Sequence, residues 1–419
     1  MKVAIPVSSA FPSAGGGYTF ESEIVAALID LAPAMRHQIT IFSGAEGNGP
    51  VVPHPNLTII HPATELMTGA VRGALRRGMD LAYASGSPKL ANQADKVQAV
   101  FVRDFITQNC FDFSWVLAPA ALIQCPTRQI PYALTLWDLQ HRLQPYFPEV
   151  SQGREWGKRE RFYRANLPRA TYVVTGTERG KAEIERFYQI APERIQVIPF
   201  PTPRLEDAIL DQPMTNEEFL AQHGLPSRYF FYPAQFWPHK NHYTLLKAFK
   251  TLADEHKDAA LVLTGSDKGN AGYIKQLIQD LDLTARVHIL GFVSKADLAN
   301  LYKHALALVF PTHFGPDNLP PLEAFSLGCP VIASDVPGAA EQLGDAALRV
   351  DQRDTTQLAL AMKAVYEDET LRHELIQKGL TRAKSWQPQD YAKQLIALLD
   401  EFESIRYCWP NSTVQPGNT

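Results

Sequence analysis

The chain has little of what would remove it from the ordinary globular class. Its four cysteines (Cys110, Cys125, Cys329 and Cys408) are widely spaced, with no Cys-x-x-Cys pair and no histidines at zinc-ligand spacing. Zinc and a disulfide framework are thereby excluded, and the thiols read as the reduced thiols of a cytoplasm. No apolar run approaches the ~20 residues needed to cross a bilayer, and "VAIPV" after Lys2 is far too short for a signal segment. A basic excess is missing as well. Against 44 Asp and Glu stand 40 Lys and Arg, a formal net charge of -4, which argues against nucleic acid as a partner. There is no Gly-x-Gly-x-x-Gly and no Walker lysine. The Asp-x-Asp at Asp280 and Asp282 follows the helical stretch "YIKQLIQ" and reads as a solvated face, so no divalent metal is expected at the chemistry. The Asn-Ser-Thr sequon at Asn411 reads as chance in a polar tail.

What remains is a chain of 419 residues, 45% hydrophobic and 20% charged, too long for one compact core. Both halves alternate β-rich runs with amphipathic segments. "KVAIPV" leads into a helix near "FESEIVAALIDLA", where Ile24, Leu28 and Leu31 share a face, and "QITIFS", "YALTLW", "TYVVTG" and "RIQVIPF" follow as buried parallel strands. After a proline-rich segment with no clear period, the pattern restarts at "YFFYPA" and runs through "ALVLTG", "RVHILG", "ALALVFP" and "PVIASD". The expected fold is α/β, with two Rossmann-like parallel-sheet domains facing across a cleft. We place the first at 1–203, a linker at 204–225, the second at 226–387, a last helix at 388–406 and a tail at 407–419. Such sheets bind ligands at the carboxyl ends of their strands.

Four stretches lie at such ends. In "THFGPDNLPPLEAFSLGCPVIASD", Asn318 can cap a helix, Pro320 and Pro321 fit its first turn, and Gly328 ends it. The free N–H groups of that helix suit a phosphate. Glu323 is either a carboxylate favoured by the helix dipole, worth about 0.3–1 kcal/mol, or an acceptor for a vicinal diol such as a ribose. Lys240, in "YPAQFWPHKNHYTLLKAF", is either a phosphate-binding lysine or a solvated loop residue. Gly15, Gly16 and Gly17 permit close backbone approach to a ligand. Asp138 and His141, in "TLWDLQHRLQ", form either a structural pair or a contact for a hydroxylated substrate. Separately, Arg72, Arg76 and Arg77 beside apolar positions suit either a solvated helix face or peripheral contact with anionic lipid.

The motifs "YPAQFWPHKNHYTLLKAF", "LVLTGSD", "ILGFVSKADLANLYKHALALVFPT" and "NLPPLEAFSLGCPVIASDVPG", in this order and spacing, resemble glycosyltransferase family 4. The resemblance spans nearly the whole chain and is strongest from Tyr229 to Gly344. It implies a GT-B fold with the nucleotide sugar held mainly by the C-terminal lobe, the acceptor mainly by the N-terminal one, and a final helix crossing back to the first domain. It further implies transfer of a hexose to a hydroxyl acceptor, with retention and without metal or other cofactor. No enzyme nucleophile is needed, because the leaving phosphate oxygen takes the acceptor proton. By position, Lys240 would bind the donor diphosphate, Glu323 the ribose hydroxyls, and Gly16 and Gly17 the phosphates. The amides of Asn318 and Leu319 would face phosphate or sugar, while Gly265, Ser266 and Val293 would border the nucleoside.

Three departures from the family pattern matter. The first of two glutamates separated by seven residues is Gly315 here, leaving Asp317 as the candidate substitute. The arginine five residues before the phosphate lysine is Gln235, which removes a positive charge and gives Lys240 a larger share. Trp137 replaces a histidine, which makes Asp138 and His141 the polar candidates on the acceptor side. The rival functions are a non-catalytic nucleotide-sugar sensor or partner subunit and a GT-B nucleotide-sugar epimerase. Sugar, base, acceptor and oligomeric state are not written in single-position motifs. The expected location is the cytoplasm, with the inner face of a membrane as the peripheral alternative.

Overall fold

A computed structural model describes residues 1–7, 15–43, 54–66, 73–75, 77–79, 81, 88–118, 130–211 and 214–408. Arg72 and Arg76, and with them most of the lipid-contact reading, lie outside the described residues, as do Cys125 and the tail from residue 409. Arg77 is exposed. Among the described residues no helix is long and apolar enough to cross a membrane.

Seven strands form the first sheet: β1 (Lys2–Pro6), β2 (Gln38–Phe42), β3 (Leu57–Ile60), β4 (Phe113–Val116), β5 (Tyr132–Thr135), β6 (Tyr172–Thr175) and β7 (Ile195–Val197). Their order is β3-β2-β1-β4-β5-β6-β7. Six form the second: β8 (Tyr229–Pro233), β9 (Ala260–Thr264), β10 (Val287–Gly291), β11 (Ala307–Phe310), β12 (Val331–Ser334) and β13 (Ala347–Val350). They are ordered β10-β9-β8-β11-β12-β13. All their pairings are parallel. The strands are apolar on both faces because helices cover both; Ala260 to Leu263 of β9 are buried without exception. Strand order reverses between β1 and β4 and again between β8 and β11, and these switch points are where such sheets open a crevice at their carboxyl ends.

Between the sheets lies the segment expected as a linker at 204–225. It forms two short helices, Glu206–Asp211 and Asn216–His223. A capping box of Thr215 and Glu218 starts the second, and Gly224 ends it at φ 60°. Phe219 is fully buried and packs on His304 of the helix Lys295–His304, so residues 215–225 belong physically to the second lobe. The Thr-x-x-Glu signal was masked by the prolines around it.

The helix Pro388–Arg406 lies against the first lobe. Tyr391 meets Phe20 edge-on at 5.3 Å, and Phe402 lies 5.1 Å from Phe113. Ion pairs of Arg36 with Asp400 and of Arg406 with Asp112 fasten its far end. The first strand and the last described helix thus lie in the same lobe, and the described chain crosses between the lobes twice.

Candidate active site

A cavity of about 490 Å³ lies between the carboxyl ends of the two sheets. Among the described residues, the C-terminal lobe supplies all of its charged side chains. Lys240 ends the turn Pro238–Lys240 after β8. The following Asn241 sits at φ 56°, donates from Nδ2 to Pro311 O and Gln352 O, and caps the helix His242–Glu255 through Thr244 N. This fixes where Lys240 points. Its Nζ lies 5.2 Å from the Phe310 ring centroid, and burial lowers its pKa to about 8. Among the described residues it has no ion-pair partner, and a surrounded ammonium without a counter-ion favours an anionic ligand.

Glu323 sits in the helix Leu319–Ser326 after β11, only 6% exposed. Tyr302 donates to its Oε2 at 2.7 Å, while Oε1 has no hydrogen-bond partner among the described residues. Burial pushes the carboxyl up to about 7, against the pull of Tyr302 and Lys295. Asp317 also borders the cavity; burial, with Glu341 nearby, raises it to about 7. Its Oδ2 is sealed from solvent and unpartnered. It faces Gly176 of the first lobe so closely that a Cβ there would lie 1.7 Å from Oδ2. Gly265, at φ 136°, is needed where β8 and β9 end, because a Cβ would lie 2.3 Å from Ala234 O. Ser266 and Val293 border the same end, and the Ser266 hydroxyl is buried without a partner. Gln235 borders the cavity too, its Oε1 accepting from Trp237 Nε1 at 2.9 Å.

The described residues of the N-terminal wall carry no charge. Gly16 and Gly17 begin the helix Gly16–Leu31, where a Cβ would lie 3.5 Å from the Leu319 side chain and 3.2 Å from Trp137 respectively. Trp137 is held edge-on by Phe20 and Phe200. Polar contacts close the lobes elsewhere. Glu341 accepts from the amides of Glu178 and Arg179, at 2.7 and 3.1 Å, at the start of a first-lobe helix, and Gln144 donates to His313 O at 3.1 Å.

Three expectations need correction. Asn318 takes the capping position without capping: its side chain donates to Gly315 O at 2.7 Å. Its amide is also taken, by Gln342 Oε1 at 3.1 Å, so of the two amides expected to face phosphate or sugar, that at Asn318 is spent within the protein. Asn318 and Leu319 still border the cavity. Asp138 and His141 do not border it and do not pair with each other. The helix Gln140–Leu143 turns them away from the strand end; Asp138 accepts from Gln140 N and Arg159, while His141 is sealed beside Glu160. Glu160 in turn holds Arg142, Arg164 and Tyr188, a structural network that pulls its carboxyl down to about 2.

Sequence reasoning passed over Tyr302, which reads as a core residue of "LANLYKHA", and over His239 beside Lys240, whose partner Glu149 lies 90 positions earlier. No local pattern announces such a pair. A second hollow, about 580 Å³, lies at Lys2, Arg36 and Tyr407 beside the amino ends of β1 and β2, away from the switch points. The nearby cluster His37, Asp400 and Glu403 is the group of metal-type ligands among the described residues, but its carboxylates already pair with Arg36.

Two doubly wound lobes with a cleft at their strands' carboxyl ends and a returning helix define the GT-B class. Sucrose-phosphate synthase from Thermosynechococcus elongatus superposes with a TM-score of 0.68 at 19% identity, covering 96% of this chain and 99% of that one. HepE of Anabaena, solved with UDP, gives 0.63 at 15% identity, covering 96% and 99%. At these identities the likeness shows the fold. Residues 215–382, most of the second lobe, match the model of the family described as glycosyl transferases group 1. The chain is similar to the O-antigen chain mannosyltransferase RfbU of Salmonella typhimurium, 29% identical over 48% of this chain, and to the O-antigen chain mannosyltransferase B of Escherichia coli, 28% identical over 57%. The matched parts span 52% and 62% of those relatives' own lengths.

Proposed function

We propose that this protein transfers a hexose from a nucleotide-diphosphate sugar to a hydroxyl acceptor, with retention at the anomeric carbon and without a metal. The observation that carries the reading is the pairing, in one cavity, of a half-buried ammonium with no counter-ion among the described residues and a carboxylate oxygen left open, at Lys240 and Glu323. The first suits a diphosphate and the second a ribose diol. The acceptor hydroxyl attacks the anomeric carbon on the face the diphosphate leaves. The bond from that carbon to the phosphate oxygen breaks, and the same oxygen takes the acceptor proton. Lys240 stabilises the departing charge, the role a metal would otherwise fill. Asp317 takes the sugar contact that Gly315 cannot make. The two mannosyltransferase relatives make a mannosyl donor and a glycan acceptor the first to test, in the cytoplasm where nucleotide sugars are made.

A screen of nucleotide sugars against glycan, lipid-linked and small-molecule acceptors, with the product anomer read by NMR, tests this. An inverted linkage would end the retention reading. The absence of charge at Gly315 and Gln235 favours one second reading, a non-catalytic nucleotide-sugar sensor. Donor binding without transfer or donor hydrolysis across the panel would select it.

A further inference from the structure

His239, the residue before Lys240, borders the cavity with its ring laid flat on Phe314, centroids 4.1 Å apart and planes 8° from parallel. Both of its inward-facing donors go to one oxygen. Glu149 Oε1, from the first-lobe helix Pro148–Ser151, accepts from the His239 amide at 2.9 Å and from Nδ1. The Glu149 side chain is 7% exposed, and Phe147 beside it packs on His239, His313 and Phe314. The His239 carbonyl accepts from His313 N and the Thr312 hydroxyl, so the turn carrying Lys240 is held from both lobes. Among the described residues its Nε2 has no hydrogen-bond partner.

The charged and titratable groups around the ring are Glu149, Lys240, His242, Asp138 and, across Phe147, His313. Burial pushes His239 down to about 4, with the Lys240 ammonium adding to it, while its hydrogen bond to His239 holds the Glu149 carboxyl below its ordinary value against the cost of burial. A neutral imidazole whose Nδ1–H is donated has a lone pair on Nε2. A lone pair repels phosphate oxygens, so the ligand atom that belongs there carries a hydrogen.

We propose that Glu149 is a positioning residue that reaches across the cleft to hold His239 as the Nδ1–H tautomer, so that Nε2 accepts a hydrogen bond from a hydroxyl of the donor sugar beside Lys240. The role rests on the sugar-transfer reading and adds a contact to it. It makes alignment of the substrate hydroxyl depend on the lobes being closed, since the carboxylate and the imidazole come from opposite sides.

The test uses the full chain labelled with ¹⁵N-histidine, His239 being assigned with His239→Gln. Between pH 6 and 8 the ring should be the Nδ1–H tautomer, and its Nε2 signal should move when a bound nucleotide sugar from the panel saturates the site. Glu149→Ala should mix the tautomers and lower kcat about tenfold, the loss of one oriented hydrogen bond, with donor KM within about threefold. Glu149→Gln, which keeps an acceptor oxygen, should restore the tautomer and most of the rate. An Nε2–H tautomer or an imidazolium in the wild type overturns the proposal, as does an Nε2 signal that ignores the bound nucleotide sugar. Wild-type kinetics in a folded Glu149→Ala protein would do the same. If no wild-type transfer is found, the transfer reading fails, while the tautomer and its response to bound nucleotide sugar still judge the pair.

Discussion

The two walls of the cleft differ in kind. The C-terminal wall carries Lys240, Glu323, Asp317 and Lys295, all on strand-to-helix junctions of one sheet. The described residues of the N-terminal wall, Gly15, Gly16, Gly17, Trp137 and Phe200 with the hydroxyl-bearing Tyr18, Thr19 and Ser22, offer backbone, an apolar surface and hydroxyls but no charge. Charge stabilisation is therefore concentrated in one lobe, and the other contributes closeness: its glycines let the start of the helix Gly16–Leu31 approach Leu319. Such a division suits a reaction in which one partner is a polyanion and the other a neutral hydroxyl.

The largest effect should come from the charged wall. Lys240→Ala is expected to lower kcat by roughly 10²–10³-fold, the scale for losing one preorganised charge at a leaving group; a rate within threefold of wild type would remove Lys240 from the chemistry. Because the Lys240 ammonium is held down to about 8, affinity for a nucleoside diphosphate should fall as pH rises through 8. Calorimetric titrations from pH 7 to 9 measure this, and the slope should be absent in Lys240→Ala.

Glu323→Gln should weaken nucleoside diphosphate binding by roughly 10–100-fold, the worth of hydrogen bonds to a charged acceptor. Unchanged affinity would assign Glu323 to the Tyr302 contact alone. Asp317 tests the two carboxyls against each other, since Glu323 is half satisfied and Asp317 is not. Asp317→Asn should lower turnover by about tenfold and also stabilise the fold. The acid is held above its ordinary value, so the stability it contributes is full below about pH 4 and drains away as pH rises towards 7. The variant should therefore melt higher than wild type at pH 8, by roughly 2–4 °C per kcal/mol relieved, and about equally at pH 4. A lower Tm at pH 8 would show that Asp317 has a partner in solution.

The smallest effect belongs to the uncharged wall. Gly17→Ala places a Cβ 3.2 Å from Trp137, which must give by a few tenths of an ångström. Donor KM should rise only about threefold through this mild overpacking, with kcat little changed. A loss comparable to that of Lys240→Ala would mean that the N-terminal wall does more than approach.

The same difference explains what the sequence could tell. Lys240 and Glu323 were legible because breakers announce a strand-to-helix junction, ahead of Lys240 for one and from Pro320 to Gly328 for the other, and such junctions face the cleft. The parallel sheets were legible from runs apolar on both faces. Asp138 and His141 misled because "YALTLW" shows a strand end but not the short helix after it, which turns both residues away. Asn318 looked like a cap because Asn before Pro-Pro usually is one, and only tertiary structure brings Gln342 to its amide. Glu149 and His239, 90 positions apart, meet only because the lobes close on each other.

The central claim is that this cleft moves a sugar. Incubating the protein with a mannosyl nucleotide, and then with the rest of the donor panel, against glycan acceptors and following the anomeric proton by NMR tests it most directly. The prediction is a new glycosidic linkage of the donor's own anomeric configuration, formed with release of nucleoside diphosphate and lost in Lys240→Ala. Donor binding with neither transfer nor hydrolysis, or a changed sugar stereocentre with water as the only co-substrate, would contradict it.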